Sequence, residues 1–275
     1  MTDSTEVTYI KPGGSVASLD LGEIWKYREL LYFLTLRDIK IRYKQTLIGV
    51  AWVVLQPVLT TAIFTIIFST FARFDTKSVP YPLFALSGLG LWLFVQTSIS
   101  LASNSFVNNT SLITKVYFPR LIVPLAAALA TLFDLLFSLG ILVILMFYYG
   151  ASPTSQIVAA PLFVFLTLVL AVAFGTLFSA LNVRFRDVKF ALPFMLQVWM
   201  IASPIFYPAS LLSEKWRLVF ALNPLTGILE GFRSALFGLP FDWQLIGVSC
   251  ASLAVLTLLS LFIFKKMEDK FADLI

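Results

Sequence analysis

Long apolar segments separated by short polar ones make up most of this chain. A helix crosses a bilayer with about 20 apolar residues. Six segments are predicted as spans on this basis: 48–71, 83–106, 121–149, 157–181, 190–207 and 243–264. Six spans would put both termini on the same side of the membrane. The pattern therefore predicts an all-α, polytopic membrane protein with six transmembrane helices.

The segment before the first span, 22–44, has the helical spacing of an amphipathic interface helix. Its apolar residues fall on one side and its charged residues on the other: Ile24, Tyr27, Leu30, Leu31 and Leu34, against Lys26, Glu29 and Lys40. Phe33 and Leu36 blur the apolar face. The pattern leaves two roles open, because such a helix either anchors a chain at the membrane surface or docks a partner.

A cluster of basic residues marks the start of the first span. Four positive charges and one acid lie within eight residues: Arg37, Asp38, Lys40, Arg42 and Lys44. No charge follows until Arg73, and a charge at the centre of an inserted helix costs about 2.5–3.5 kcal/mol. Fifteen of the twenty Lys and Arg residues fall in segments that six spans place with the N-terminus. Because basic flanks stay in the cytoplasm, both termini are predicted to be cytoplasmic.

Composition agrees with a chain that is mostly surrounded by lipid. Hydrophobic residues make up 59% and charged residues 13%, whereas soluble domains carry about 25% charge. Loop bias explains the net charge of +5, so no nucleic-acid partner is expected. We expect a single transmembrane domain over 1–275, divided into a polar tail (1–21), a cytoplasmic interface helix (22–44), a six-span bundle (48–264) and a cytoplasmic tail (265–275).

Residue types exclude several kinds of site. The chain has no histidine and one cysteine, Cys250, so no zinc or haem site is expected, and Ser–His or Cys–His catalysis is impossible. The P-loop pattern GxxxxGK followed by Ser or Thr is absent. Asp134 is the one carboxylate deep in a predicted span, and intramembrane acids are functional candidates. A helix-packing contact with a Ser, Thr or Asn of a neighbouring span is favoured, because one isolated acid makes no proton relay.

The segment 207–241 combines apolar runs with prolines and charges. A full span would bury those charges, so 210–219 and 225–237 are predicted as short re-entrant or interfacial helices at the outer leaflet. A packed extracellular loop is the alternative. Glu230 and Arg233 have i, i+3 spacing and are expected to pair.

Two cytoplasmic loops have the composition of docking surfaces. In NNTSLITKVYFPR (108–120), Asn109, Thr110 or Ser111 is expected to cap a short helix that ends before the proline. Its apolar side chains offer a surface to a partner, although a solvated loop explains them as well. NVRFRDVKF (182–190) is a second basic turn, which positive-inside bias explains equally well.

Aromatic side chains gather near the predicted outer boundary. They are Trp92, Phe94, Phe206, Tyr207, Trp216, Phe220, Phe232, Phe237, Phe241 and Trp243. An interfacial belt is their ordinary cause. Aromatic rings also stack on the apolar faces of sugars, so a belt alone and a belt with glycan contact both remain open.

Five segments occur in the same order as in a known family of membrane proteins. They are RDIKIRYKQTLIGVAWVVLQP (37–57), NNTSLITKVYFPR (108–120), VRFRDVKF (183–190), SPIFYP (203–208) and NPLTGILEGFRSALFG (223–238). Together they resemble the membrane subunits of ABC-type polysaccharide exporters, the ABC type-2 family that exports O-antigen, capsule or teichoic acid. The resemblance covers about residues 20–270. Each segment is weak alone, but five in order are specific.

The resemblance implies a permease that does no covalent chemistry. Such chains are half-channels that form a homodimer and bind two copies of a separate ATPase. ATP and Mg²⁺ are bound by that partner, so no cofactor or metal is implied in this chain. The implied substrate is a polysaccharide linked to polyprenyl pyrophosphate, and the implied location is the bacterial inner (plasma) membrane.

The resemblance also implies roles for particular residues. Contact with the ATPase would involve Asn109, Thr110, Leu112, Ile113, Lys115, Val116, Tyr117, Trp25 and Arg28. The substrate path would include Lys40, Arg42, Lys44, Trp52, Trp92, Phe94, Trp199, Phe206 and Tyr207. An outer gate would include Trp216, Glu230, Phe232 and Arg233. The basic path residues would attract pyrophosphate, although membrane topology and lipid headgroups also explain their charge.

Other function classes fit less well. A secondary transporter would show an inverted repeat and buried ion ligands, and 48–149 and 157–264 show no evident similarity. A membrane-embedded transferase would show clustered carboxylates or histidines. Within the main interpretation, an ABC-type exporter of lipid or drug is the nearest alternative.

Overall fold

The computed structural model describes residues 21–44, 49–68, 79–211, 213–268 and 271, and this part of the chain contains helices and no β-strand. The α-helices are α1 (Leu21–Lys26), α2 (Arg28–Tyr43), α3 (Gly49–Ile67), α4 (Tyr81–Asn108), α5 (Thr110–Lys115), α6 (Ile122–Tyr148), α7 (Ala160–Arg184), α8 (Val188–Ala202), α9 (Glu214–Ala221), α10 (Pro224–Phe237) and α11 (Trp243–Glu268). Short 3-10 helices precede α7 (Ser155–Ala159) and α9 (Ala209–Leu211).

Four helices of the described chain are long and apolar enough to cross a membrane, namely α4, α6, α7 with its preceding 3-10 turn, and α11. Each coincides with a predicted span. The two remaining predicted spans correspond to α3 and α8, which are shorter apolar helices. The chain is therefore an all-helical, polytopic membrane protein, and the count of six spans stays a prediction.

The predicted span 190–207 is too long at its C-terminal end. Helix α8 ends at Ala202, and Ser203 has extended backbone angles (φ −104°, ψ 146°). The cause is Pro204, since a proline disfavours helical backbone in the residue before it. At the first span, the last residues of the predicted range 48–71 lie outside the described residues.

Helix α4 lies at the centre of the bundle. Every residue from Leu83 to Trp92 is buried, and α4 packs along both α6 and α7. Small side chains allow the close approach, because a Cβ added at Gly175 would lie only 2.8 Å from the Cβ of Ala102. Ser98 and Thr131 join α4 to α6 through a hydrogen bond between their hydroxyls.

A separate cluster of buried apolar residues, here called the basal cluster, lies at one end of the bundle. It consists of Leu34, Phe106, Ile113, Phe118, Ile122, Val123, Ala126, Ala180, Val183, Phe264 and Phe271. These residues join α2 and α5 to the ends of α4, α7 and α11 and to the start of α6. The basal cluster therefore connects the two segments that were predicted to contact an ATPase.

The predicted interface helix is present but divided in two. Tyr27 (φ −97°, ψ 21°) separates α1 from α2. The predicted apolar face is confirmed, because Leu34 is buried in the basal cluster and the other four residues of that face pack against it. Lys26, Glu29 and Lys40 are exposed, as expected.

Helices also form where short re-entrant helices were predicted. Helix α9 covers most of 210–219, and α10 covers 225–237. Helix α10 is buried along nearly its whole length and packs on α7 and α11. Its placement in the outer leaflet stays a prediction.

Candidate functional site

The loop after α4 folds into the predicted short helix, α5. Ile113 is buried in the basal cluster, whereas Val116 and Tyr117 are 51% and 66% exposed. A cavity of about 240 Å³ lies along this edge, lined by Ile113, Thr114, Lys115, Val116, Tyr117, Phe118 and Arg120. One side chain thus anchors α5 while its neighbours present an apolar surface to the outside.

The prediction that a polar side chain caps the N-terminus of α5 is wrong. Asn109 occupies the N-cap position without a side-chain cap. Its Nδ2 donates instead to the carbonyl of Ser105 at 2.7 Å, and the Thr110 hydroxyl donates to the carbonyl of Val107 at 2.9 Å. Because α5 follows α4 after a single residue, these short polar side chains bond back to the last turn of α4.

Trp25 and Arg28 lie on the outer side of the N-terminal helices. Trp25 is 71% exposed, and the Arg28 guanidinium lies 5.5 Å from the centre of its ring. The inward side of the same helices carries Tyr27 and Leu31, which pack on the basal cluster. Both predicted ATPase contacts, α1–α2 and α5, therefore rest on one apolar cluster.

The basic residues before the first span divide between two surfaces. Lys40 and Lys44 are exposed, and they line a groove of about 530 Å³ together with Phe33, Leu36, Arg37 and Ile41. Arg37 pairs with its neighbour Asp38 at 2.8 Å. Arg42 belongs to the other surface, against α6. The three predicted pyrophosphate ligands therefore do not converge.

Arg42 and Tyr43 bind Asp134, the one charged residue of α6. Arg42 Nη2 donates to Asp134 Oδ2 at 2.6 Å, and the Tyr43 hydroxyl donates to Asp134 Oδ1. Burial is the largest cause, and the nearby carboxylate a further one, of a raised pKa at Tyr43, so its hydroxyl stays a neutral donor. The expected partner for Asp134, a Ser, Thr or Asn of a neighbouring span, was wrong. A charged partner supplied from outside the spans was missed.

A polar cavity of about 210 Å³ adjoins this ion pair. It is lined by Arg42, Tyr43, Trp52, Val53, Gln56, Pro57, Gly90, Leu93, Phe94, Thr97, Asp134, Leu135 and Ser138. Helices α2, α3, α4 and α6 all contribute side chains. Three predicted path residues, Arg42, Trp52 and Phe94, meet here. The cavity combines aromatic rings with hydroxyl, amide and charged groups, which suits a hydrophilic ligand.

Other predicted path residues pack in the core of the chain. Trp92 is fully buried and meets Trp199 edge to face, with ring centroids 5.6 Å apart. Phe206 is 7% exposed and stacks on Phe64. The Tyr207 hydroxyl donates to a backbone carbonyl of α8 at 3.2 Å. Trp92 and Phe206 are therefore packing residues in this conformation, not part of a belt.

Asn223 begins α10 and joins it to α8. Its Oδ1 accepts hydrogen bonds from the backbone N–H of Leu225 at 3.1 Å and from Trp199 Nε1 at 3.0 Å. Its Nδ2 donates to the Ser203 hydroxyl at 2.8 Å. The sequence signal was an Asn before a Pro at the start of an apolar run, since Asn is a good N-cap and Pro a good first residue.

Arg233 is the most completely enclosed charge of the predicted gate. It is 1% exposed and pairs with Glu230 at 3.2 Å, which confirms the predicted i, i+3 pair. It also donates to four groups of α4 and the loop after α8: the carbonyls of Phe84, Pro204 and Ile205, and the Ser87 hydroxyl. Phe232 is 1% exposed, whereas Trp216 on α9 is 61% exposed. Helix α10 is thus fixed in place, and α9 is more exposed.

Comparison with known proteins identifies the family. The ABC-2 type transporter family matches residues 29–237. The O-antigen export system permease protein RfbA of Myxococcus xanthus is 29% identical over 256 residues, or 91% of this chain and 97% of that protein. RfbA of Klebsiella pneumoniae is 27% identical over 248 residues, or 90% and 95%. The polysialic acid transport protein KpsM of Escherichia coli is 26% identical over 238 residues, or 84% and 88%.

The family match runs through α2, α5 and α10, elements whose geometry is described above. The family match spans most of the chain, and the relatives align along nearly their whole lengths. Membrane subunits of this class have no ATPase activity and work with a separate ATPase subunit. The chain therefore belongs to the ABC-2 type transporter family, as a membrane permease subunit.

Proposed function

We propose that this chain exports a polysaccharide, linked to polyprenyl pyrophosphate, across the bacterial inner membrane. One observation carries the proposal: relatives named for O-antigen export and for polysialic acid transport align with 84–91% of this chain. Both ligands are polysaccharides, so the shared chemistry is that of a glycan chain. Export of a lipid or a drug is the rival outcome of the tests below.

The proposed topology has six spans and cytoplasmic termini. Basic residues support it, because Lys115, Arg184 and Lys265 lie in the last turns of helices that end at the basal cluster, and Arg120 lies just before the start of α6 there. Positive charge at one end of a bundle marks its cytoplasmic side. Helices α3 and α8 would be the first and fifth spans. Reporter fusions after each helix would check this arrangement.

The proposed assembly is a homodimer with two ATPase subunits. The described parts of α3 and α8 bury few of their own residues within the chain; in α8 these are Leu192 and Leu196. Their outward faces carry large apolar side chains such as Ile63, Phe190 and Phe194, which are 56%, 73% and 70% exposed. These faces are available to a second copy of the chain.

The proposed ATPase contact is formed by α1–α2 and α5. Its exposed members are Trp25, Arg28, Lys115, Val116 and Tyr117. The less exposed members are the N-cap residue Asn109 and, within α5, Thr110, Leu112 and Ile113. Because both segments pack on the basal cluster, a displacement of either would be transmitted to the ends of the spans. ATP and Mg²⁺ would be bound by the partner.

The proposed substrate path starts at the groove that contains Lys40 and Lys44. Their ammonium groups would attract a phosphate headgroup at the cytoplasmic face. The cavity with Trp52 and Phe94 lies further along, and Trp216 on the exposed helix α9 belongs to the proposed outer gate. Trp92 is left out because the core encloses it completely.

Complementation tests the proposed function. The chain would be expressed with its ATPase in a strain that makes the cognate lipid-linked glycan but lacks its own permease. Surface polysaccharide should appear, and lipid-linked glycan should stop accumulating inside. Continued internal accumulation, with the complex assembled in the membrane, would contradict polysaccharide export.

Co-purification tests the ATPase contact. Tyr117→Ala should release the ATPase from the detergent-solubilised permease, because it removes an exposed ring from the proposed contact. The matched control is Tyr148→Ala, which removes a tyrosine ring that is 79% exposed at the end of α6 opposite the basal cluster. Equal loss of ATPase from both variants would contradict the assignment to α5.

A further inference from the structure

Asp134 lies near the middle of α6, a helix of 27 residues in which it is the one charged residue. A carboxylate at the centre of an inserted helix is costly without a partner. Its side chain is only 16% exposed, and that of Arg42 is 26% exposed. The stability of the Asp134 charge within α6 therefore depends on the side chains of α2 that pair with it.

Helix α2 is held at two separated points. Near its middle, Leu34 is buried in the basal cluster together with Ile113 of α5. At its last turn, Arg42 and Tyr43 bind Asp134, and the Tyr43 ring packs edge to face on Phe133, with centroids 5.3 Å apart. The first contact connects α2 to the proposed ATPase surface, and the second connects it to the middle of α6.

The contacts of α2 with its two neighbouring helices differ greatly. Helix α2 packs extensively on α6 and only slightly on α3, although α3 follows it closely in sequence. A displacement of α2 therefore reaches the bundle chiefly through α6. The pair between Arg42 and Asp134 is a strong bond on that route, because both groups are charged and partly shielded from solvent.

We infer that Asp134 is a positioning residue that holds the end of α2 against α6, so that movement imposed on α2 or α5 by the ATPase is transmitted to the spans. The inference rests on the proposed function only in its export readout. Arg42 accordingly serves this connection and is not a ligand for the substrate headgroup. The adjoining cavity leaves room for the pair to shift with α6 while staying bonded.

Two paired substitutions separate positioning from simple neutralisation of a buried charge. Arg42→Met with Asp134→Leu removes both charges together, so that neither charge is left without its counter-charge, a replacement that folded proteins often tolerate. The Tyr43 hydroxyl loses its acceptor in this variant, and Tyr43→Phe alone measures the loss of that hydrogen bond. Arg42→Asp with Asp134→Arg reverses the pair and can restore it. The matched control is Lys265→Gln with Glu268→Gln, which removes an ion pair whose two members both belong to α11.

The first readout is polysaccharide exported per ATP hydrolysed, in the complementation strain and with the purified complex. The apolar double variant should accumulate, bind the ATPase and hydrolyse ATP, while export falls about tenfold, within the usual range for coupling between sites. The reversed pair should recover a substantial part of the export. The control should export like the wild type. Normal export by the apolar variant would overturn the inference.

The second readout needs no glycan. A thiol probe on α3 is made with Ile63→Cys and Cys250→Ser, since Ile63 is 56% exposed and Cys250 is the one native cysteine. ATP should change the labelling rate at position 63 in the otherwise wild-type complex and not in the apolar variant. The same change in both would overturn the inference. A pair-dependent change without any glycan export would instead refute the proposed substrate and support the inference.

Discussion

Two ion pairs, Arg42–Asp134 and Arg233–Glu230, each join an arginine to a carboxylate away from bulk solvent, but they connect different parts of the fold. The Arg233 pair is local, three residues apart on α10, and the guanidinium donates to four further groups on α4 and the loop after α8. The Arg42 pair joins residues 92 apart in sequence, and Tyr43 is the other donor to the carboxylate. The Arg233 guanidinium thus bonds to several groups of other segments, whereas the Arg42 pair joins two helices that are distant in sequence.

The difference concerns how each site can respond to movement. Shifting α10 would break several hydrogen bonds at once and leave buried carbonyls unpaired, which is costly. Shifting α2 would strain the Arg42–Asp134 pair, at the end of a helix that connects the proposed ATPase surface to α6. The Arg233 site therefore stabilises the fold, and the Arg42 site suits transmission of force. The following predictions test that division.

Arg233→Met should produce the largest loss of stability. It leaves the carbonyls of Pro204 and Ile205 without their donor and Glu230 without its partner. Breaking a buried pair in this way costs about 3–5 kcal/mol. Thermal unfolding of the detergent-purified permease should show a large fall in Tm, with poor accumulation in the membrane.

Arg217→Met is the control, because Arg217 pairs with Asp242 at the start of α11 but remains 39% exposed. Its Tm should fall much less. Comparable losses in the two variants would show that donation to the loop carbonyls adds little to an ordinary ion pair. That result would remove the contrast between the two arginine sites.

Gly88→Ala should also destabilise the Arg233 site, by about 1–3 kcal/mol as for other overpacked positions. A Cβ at Gly88 would lie 2.5 Å from Arg233 Nη2 and 2.9 Å from the carbonyl oxygen of Ile205. Gly140→Ala on α6 is the control, since a Cβ there meets nothing within 4 Å. It should be neutral or stabilise by about 0.5–1 kcal/mol, because alanine favours a helix over glycine. Equal Tm values for both variants would contradict the close packing at Gly88.

The two sites also differ in how far the sequence predicts them. The Glu230–Arg233 pair follows from i, i+3 spacing, which places both side chains on one face of a helix. The Arg42–Asp134 pair depends on how α2 crosses α6, and no local pattern contains that information. The sequence did identify each member as unusual, Arg42 by its basic cluster and Asp134 by its apolar surroundings. It did not indicate that these two residues pair with each other.

The aromatic residues show a second limit. The sequence places Trp92, Phe232 and Trp216 near one boundary, yet the first two are buried and the third is 61% exposed. In a soluble helix, polar positions reveal which face is outside. Here lipid-facing and core-facing positions are both apolar, so hydropathy does not separate a membrane belt from the interior. The apolar face of α2 was predicted correctly because its other face carries charges.

Tyr43→Phe should weaken the Arg42 site moderately. It removes one hydroxyl donor from Asp134 while Arg42 still pairs with the carboxylate, so the loss is about 1 kcal/mol, as for a single hydrogen bond. We expect a fall of several-fold in export per ATP and little change in ATPase binding. Tyr32→Phe, at a tyrosine of α2 that is 60% exposed, should leave export unchanged. If the two variants exported equally well, the Tyr43 hydroxyl would have no part in transmission, which would then depend on Arg42 alone.

Arg37→Gln should have the smallest effect. Arg37 carries the same charge as Arg42 on the same helix, but it is 40% exposed and pairs with the adjacent Asp38. An exposed pair contributes only a few tenths of a kcal/mol, and salt screens it. Export and Tm should therefore remain close to wild type at low and high salt. A loss of export as large as that of the Arg42–Asp134 variant would mean that positive charge before the first span matters, not the connection to α6. Headgroup attraction at the groove would then be the better explanation for both arginines.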